Sequence, residues 1–231
     1  MILFTNGCSW TYGGGLNLDD AEQTEERLKS VWPAHLGRML GVHPGDVYNF
    51  AIGCGSNQRT VRTTYDYLNN SRKDSIENTI FVIQLTEASR FEYYEPGKNH
   101  WARAKIDAVI QKSEEYPFAI ERVNRRLETY TDEEGRYALM SSVLTLTKLF
   151  ELYNVKNYFF WTLPPNRIIN NDLLAKNDEH WVCLDNRRTG ESAWKYDIVG
   201  MTPAGLDKHP SKVGHQRVAE IIYDKIFNRL K

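Results

Sequence analysis

Between Thr79 and Ile83 the chain reads Thr-Ile-Phe-Val-Ile, a short continuous run rich in β-branched residues. Such a run suits a strand covered on both faces, as inside a parallel sheet. It constrains the fold more than any other segment, because a strand buried on both faces needs helices above and below it. The rest of the chain supplies them. Ile2 to Thr5 reads as a first strand ending at the turn Asn6-Gly7. Leu28, Val31, Trp32, Leu36, Met39 and Leu40 recur on one helical face, with Ser30 as cap, Pro33 in the first turn and Gly41 as stop. Val47 to Ile52 reads as a second strand and Asn57 to Leu68 as a second helix. Tyr137 to Leu152 is an amphipathic helix with Leu139, Met140, Val143, Leu144, Thr147 and Phe150 on one side. Asn157 to Thr162 reads as a fourth strand, ended by Pro164-Pro165, and the last helix carries Val218, Ile222, Ile226 and Leu230. This alternation predicts a single α/β domain over residues 1–231: a three-layer α/β/α sandwich around a parallel sheet of about four or five strands.

Two segments break the rhythm. Residues 92–136 form a charged, aromatic insertion, expected to be helical around Arg103 to Lys112 and Ala119 to Tyr130. Residues 166–206 are long, polar and weakly patterned. Long irregular segments in a compact domain usually serve as lids or binding loops, so the insertion is expected over the mouth of a site.

Charge narrows the partners. Lys plus Arg (29) nearly balance Asp plus Glu (30), whereas a nucleic-acid binder carries a basic excess or a basic face. No nucleic-acid partner is expected. Met1 to Thr5 already reads as a strand, with no basic leader ahead of it, and no stretch has the ~18 apolar residues of a membrane span. The expectation is a cytoplasmic chain without a membrane partner, or a virion component if the gene belongs to a phage. The three cysteines, Cys8, Cys54 and Cys183, are too scattered for a disulfide framework or a metal site, and no metal or cofactor is implied. Gly13-Gly14-Gly15 lacks the Lys-Ser/Thr of a phosphate loop and reads as a close-packed exit from the first strand.

In an open parallel sheet, ligands bind beyond the carboxyl ends of the strands. Gly7-Cys8-Ser9-Trp10 follows the first strand, Gly53-Cys54-Gly55-Ser56-Asn57 the second and Gln84-Leu85-Thr86-Glu87 the third. Asp207-Lys208-His209-Pro210-Ser211 precedes the last helix. A serine after a strand is often no more than a helix cap. Ser9 stands out because a base and oxyanion donors can converge on the same edge, which is what attack by a hydroxyl requires. His209 is preferred over His215 as the base, since Gly214-His215 suits a structural helix start. Asn57 either donates to an oxyanion or caps the second helix. Arg90 either clamps a substrate anion or pairs with Glu87 or Glu92. Tyr93, Tyr94 and Trp101 are the aromatics expected nearest a substrate. His35, His43, His100 and His180 lack partners at a recognised spacing and read as structural or solvent-facing.

These blocks resemble those of SGNH hydrolases, also called GDSL esterases and lipases, and more narrowly the SGNH-like proteins of phages and bacteria. The resemblance runs in order from Gly7 to Ala219. It implies the flavodoxin-like SGNH hydrolase fold, with Ser9 as nucleophile, His209 as general base and Asp207 orienting the imidazole. It further implies an oxyanion hole drawn from Ser9 and a second-block glycine, Gly53 or by preference Gly55, with Thr86 or Asn57 in place of the third-block asparagine. Cys8 replaces the family's aspartate, Thr86 stands where the third-block asparagine belongs, and Asp207 lies one residue closer to the histidine than usual. The implied activity is hydrolysis of an acyl ester, of a sugar or another small polar molecule. The rival expectation is a non-catalytic module on the same fold, holding glycan or protein through the aromatic insertion. Neither reading fixes an oligomeric state.

Overall fold

The computed structural model describes residues 1–14, 16, 25–95, 99–105, 124, 130–162, 178–182 and 209–230. The strands are β1 (Ile2–Asn6), β2 (Val47–Asn49), β3 (Thr79–Leu85), β4 (Arg90–Glu95), β5 (His100–Lys105) and β6 (Asn157–Thr162). The helices are α1 (Ser9–Tyr12), α2 (Glu25–Ser30), α3 (Trp32–Met39), α4 (Asn57–Asn70), α5 (Lys73–Glu77), α6 (Asp132–Leu152) and α7 (Lys212–Leu230). β2, β1, β3 and β6 form one parallel sheet in that order, while β4 and β5 pair as a separate antiparallel hairpin. The chain is therefore an α/β sandwich, and its strand order changes direction at β1, where an open sheet leaves a crevice at its carboxyl edge.

The period of two along each strand sorts the core into two layers. Leu3, Ile80, Val82, Phe159 and Trp161 face one way and pack with Trp32 and Leu36 of α3 and Val218, Ile222 and Ile226 of α7. Phe4, Phe81, Ile83, Leu85, Tyr158 and Phe160 face the other way and meet Leu68 of α4 with Leu139, Val143, Leu146 and Phe150 of α6. Every residue of β3 is buried, as the Thr79 to Ile83 run requires. Removing any one of these large side chains is worth about 2–5 kcal/mol of stability. Among the described residues no helix is long and apolar enough to cross a membrane.

Four expectations about elements need correction. The helical face from Leu28 to Leu40 is two helices, α2 and α3, broken at Val31, whose φ −78° and ψ 152° are extended. Ser30 does not cap the second of them: the buried N–H of Trp32 donates to Nδ1 of His215 at 3.2 Å. β2 stops at Asn49 instead of Ile52, because the Asn49 side chain accepts the N–H of Ala51 at 3.1 Å and turns the chain. Arg103 to Lys105, expected to begin a helix, lie in β5, where Trp101 pairs with Tyr94 and Ala104 with Phe91 across the hairpin. Pairing with β4 sets the conformation there, since tertiary context overrides local helix propensity. The helix expected over residues 119–130 lies almost entirely outside the described residues.

Candidate active site

The carboxyl end of β1 leads straight into α1. Asn6 closes the strand: its Oδ1 accepts the N–H of Gly7 at 2.9 Å, and its Nδ2 donates to Thr63 Oγ1 of α4 at 2.8 Å. Cys8 is the N-cap of α1, and Ser9 is the first helical residue. An amide at that position has no acceptor inside its own helix, so Ser9 presents its N–H beside its own hydroxyl. Ser9 is buried, 8% exposed.

His209 Nε2 lies 2.7 Å from Ser9 Oγ. Buried Pro210 follows it, and Ser211 then starts α7 by accepting the N–H of Gly214 at 3.1 Å. The imidazole is thus anchored by a turn whose far side is a helix start. Gly14 makes room for the pair, since a Cβ there would fall 3.0 Å from His209 Nε2 and 3.2 Å from the Ser9 Cβ. The close-packed exit expected of the glycine run is thereby accounted for at Gly14. Asp207 lies outside the described residues.

The other expected site residues are distributed unevenly. Gly55 sits against the turn, where a Cβ would come within 2.7 Å of the Gly7 carbonyl oxygen, but its N–H donates to Ile52 O at 3.1 Å. Asn57 neither caps α4 nor stands free. Ser56 is the cap, accepting the N–H of Arg59 at 3.2 Å. Asn57 instead brackets the Thr86 main chain, accepting its N–H at 2.8 Å and donating to its carbonyl at 3.0 Å. One hydrogen of the Asn57 amide remains. The Thr86 hydroxyl is buried and has no hydrogen-bond partner among the described residues. A buried hydroxyl left unpaired costs free energy.

Arg90 opens β4 and pairs with Glu87, Nε to Oε2 at 3.4 Å. Glu92 does not join it. Both oxygens of Glu92 accept from Arg62 of α4, at 3.0 Å and 2.8 Å. The expected aromatic trio is split by strand alternation. Tyr93 is 7% exposed and packs with Phe91, whereas Tyr94 and Trp101 form a pair at 5.5 Å, each with much of its surface in solvent. The Arg62 guanidinium lies over the Trp101 ring at 4.8 Å.

His215 is fully buried, with Nδ1 accepting from Trp32 and Nε2 without a partner among the described residues. Burial first, then the neighbouring His35 and His209, push its pKa down to about 3. It is a neutral helix cap, not a base. His43 also accepts a main-chain N–H, from Gly45 at 3.2 Å, and His180 is stacked on Tyr158 at 3.8 Å.

Sequence reading passed over Asn6, Thr11 and Gln84, which converge on the Ser9 turn. The signal was present: a polar residue inside an otherwise apolar buried strand must find a partner, and Gln84 sits in Thr-Ile-Phe-Val-Ile-Gln-Leu.

Comparison with known proteins adds a family and a fold. A family model described as a family of unknown function, DUF6071, matches residues 16–186, a span that begins after Ser9 and ends before His209. No match is found among curated proteins. Among solved structures, the chain is similar to the psychrotrophic esterase EstA from Pseudoalteromonas sp., in a crystal inhibited by monoethylphosphonate. The TM-score is 0.51 and the identity 13%, over 99% of this chain and 98% of the other. At that identity the likeness is one of fold.

Proposed function

We propose that this chain, which belongs to the DUF6071 family of unknown function, is a serine ester hydrolase of the SGNH type. The observation that carries the reading is the 2.7 Å contact between His209 Nε2 and Ser9 Oγ at the carboxyl edge of the sheet. Ser9 Oγ attacks the acyl carbonyl as its proton passes to His209 Nε2. The carbonyl oxygen becomes an oxyanion that accepts from the Ser9 N–H and the Thr86 hydroxyl, with the remaining Asn57 N–H as a third donor. His209 returns its proton to the departing alcohol, leaving an acyl-serine, and water then repeats the sequence to release the acid. Asp207 is assigned the Nδ1 side of the imidazole, where a carboxylate holds the tautomer. Gly55 serves by its lack of a side chain against Gly7, since its own N–H is directed at Ile52.

The substrate proposed is an ester of a sugar or small polar molecule. The exposed Tyr94–Trp101 pair supports it, because aromatic faces of this kind stack on sugar rings. Similarity to an esterase fold is consistent with the chemistry. A non-catalytic binding module is favoured by one feature, the replacement of the third-block asparagine by Thr86. A fluorophosphonate probe separates the two. Ser9 should be phosphonylated in the native protein and unreactive after Ser9→Ala, with release of acid from a panel of acetylated sugars and short acyl esters. A folded protein that neither reacts with the probe nor turns over any ester would remove the hydrolase reading and favour the binding module.

A further inference from the structure

The nucleophile turn is held by a side chain that no part of the proposed reaction uses. Gln84, in the middle strand β3, is completely buried. Its Oε1 accepts two hydrogen bonds from the turn, from Thr11 Oγ1 at 2.6 Å and from the Cys8 N–H at 3.3 Å. Thr11 Oγ1 in turn accepts from Trp32 Nε1 of α3 at 3.3 Å, so its own proton is directed at Gln84. Asn49 of β2 donates to the Thr11 carbonyl at 2.9 Å. Among the described residues the glutamine Nε2 has no partner. Gly7 leaves space for the contact, since a Cβ there would fall 2.6 Å from the Gln84 Cβ.

We infer that Gln84 is a positioning residue for Ser9, acting through the acceptor oxygen that its side chain offers to Cys8 and Thr11; the catalytic part of this inference rests on the hydrolase reading above. Two of the three amides in Gly7-Cys8-Ser9 are taken by side chains, Gly7 by Asn6 and Cys8 by Gln84, and the third is left for a reactant. The Thr11 bond pins the other end of the same helical turn. Together they fix where Ser9 Oγ and Ser9 N–H stand relative to His209. An apolar side chain at position 84 would orphan two buried donors at once, and the turn would relax to rehydrate or re-pair them. Since only the oxygen works, a carboxyl group can replace the amide, which distinguishes positioning from packing. Packing alone would favour methionine over glutamate in a fully buried site.

The test compares Gln84→Met with Gln84→Glu in the full chain. In Gln84→Met, kcat and the rate of Ser9 phosphonylation should fall by about tenfold or more with KM unchanged, the signature of a misplaced nucleophile. Gln84→Glu should recover most of that loss. Where Gln84→Glu does not fold, Thr11→Val and Thr11→Ser make the same comparison, with loss expected only in valine. Hydrogen exchange at the Cys8 amide gives a readout that needs no activity: protected in the native chain and in Gln84→Glu, fast in Gln84→Met. Equal phosphonylation in native protein and Gln84→Met would overturn the positioning role and leave the hydrolase standing. A native protein that does not react at Ser9 would remove the hydrolase reading, and unchanged Cys8 exchange in Gln84→Met would refute the hydrogen-bond account itself.

Discussion

Ser9 and His209 are 200 positions apart and meet within one hydrogen bond. If they act as a unit, Ser9→Ala and His209→Ala should each lower ester turnover by about 10³-fold or more, with little further loss in the double variant. Additive losses in a steady-state assay would show two independent contributions instead. Gly14→Ala is a finer probe. Its methyl would press on the imidazole and on the Ser9 Cβ together, so kcat should drop by about tenfold or more, as a small misplacement of reacting groups does. Circular dichroism and a thermal melt should show the fold retained; a variant with native kcat would show that the imidazole has slack. That Ser9 and His209 could meet was legible from the order of their blocks, one after the first strand and one before the last helix, at the same edge of a parallel sheet. The assignments of Asn57 and Gly55 were not, because the acceptor of an amide proton belongs to another segment. Ile52 O and the Thr86 main chain cannot be read from a glycine-rich stretch.

At the scale of elements, the hairpin β4–β5 is fastened to α4 by Arg62 and Glu92, 30 residues apart. The pair is lopsided: the Glu92 side chain is 4% exposed and that of Arg62 30%. Losing Arg62 leaves a buried carboxylate without a counter-charge, while losing Glu92 leaves an arginine that still reaches solvent, Asp66 and the Trp101 face. Arg62→Ala should therefore destabilise by about 3 kcal/mol, and Glu92→Gln by clearly less. Urea unfolding of the two variants measures the difference, and equal costs would contradict the asymmetry. The partner of Glu92 and Trp101 in the hairpin lies on α4, beyond the reach of any local window. The same limit explains α2 and α3, whose combined apolar face is continuous in sequence. Only the imidazole of His215, presented by α7, shows why the second helix begins at Trp32.

For the molecule as a whole, His215 couples folding to pH. Its folded pKa of about 3 lies below the ~6.5 of an unfolded histidine. Between those values the unfolded chain binds a proton that the folded chain refuses, so this contribution is complete above pH ~6.5 and is lost as pH falls, at ~1.4 kcal/mol per unit. Burial also lowers the pKa of His35 and His180, in the same direction. Between pH 6.5 and 5 the native protein should lose about 2 kcal/mol more than His215→Asn, which keeps an acceptor for Trp32 without a titrating ring. Chemical denaturation at the two pH values tests it, and parallel slopes would mean that His215 does not set the acid limit. The sequence by itself determined the class of fold, since alternating strands and helices of these lengths bury their apolar faces only as layers. It also determined both core layers, through the two-residue period of each strand, and it singled out the serine and histidine that meet. Tertiary structure alone decided the order β2-β1-β3-β6, the hairpin, the cap on α3 and the side chains that hold the Ser9 turn. The physical reason is range: periodicity acts within a segment, whereas the partner of a buried hydrogen-bonding group is chosen by whichever distant segment the packing brings beside it.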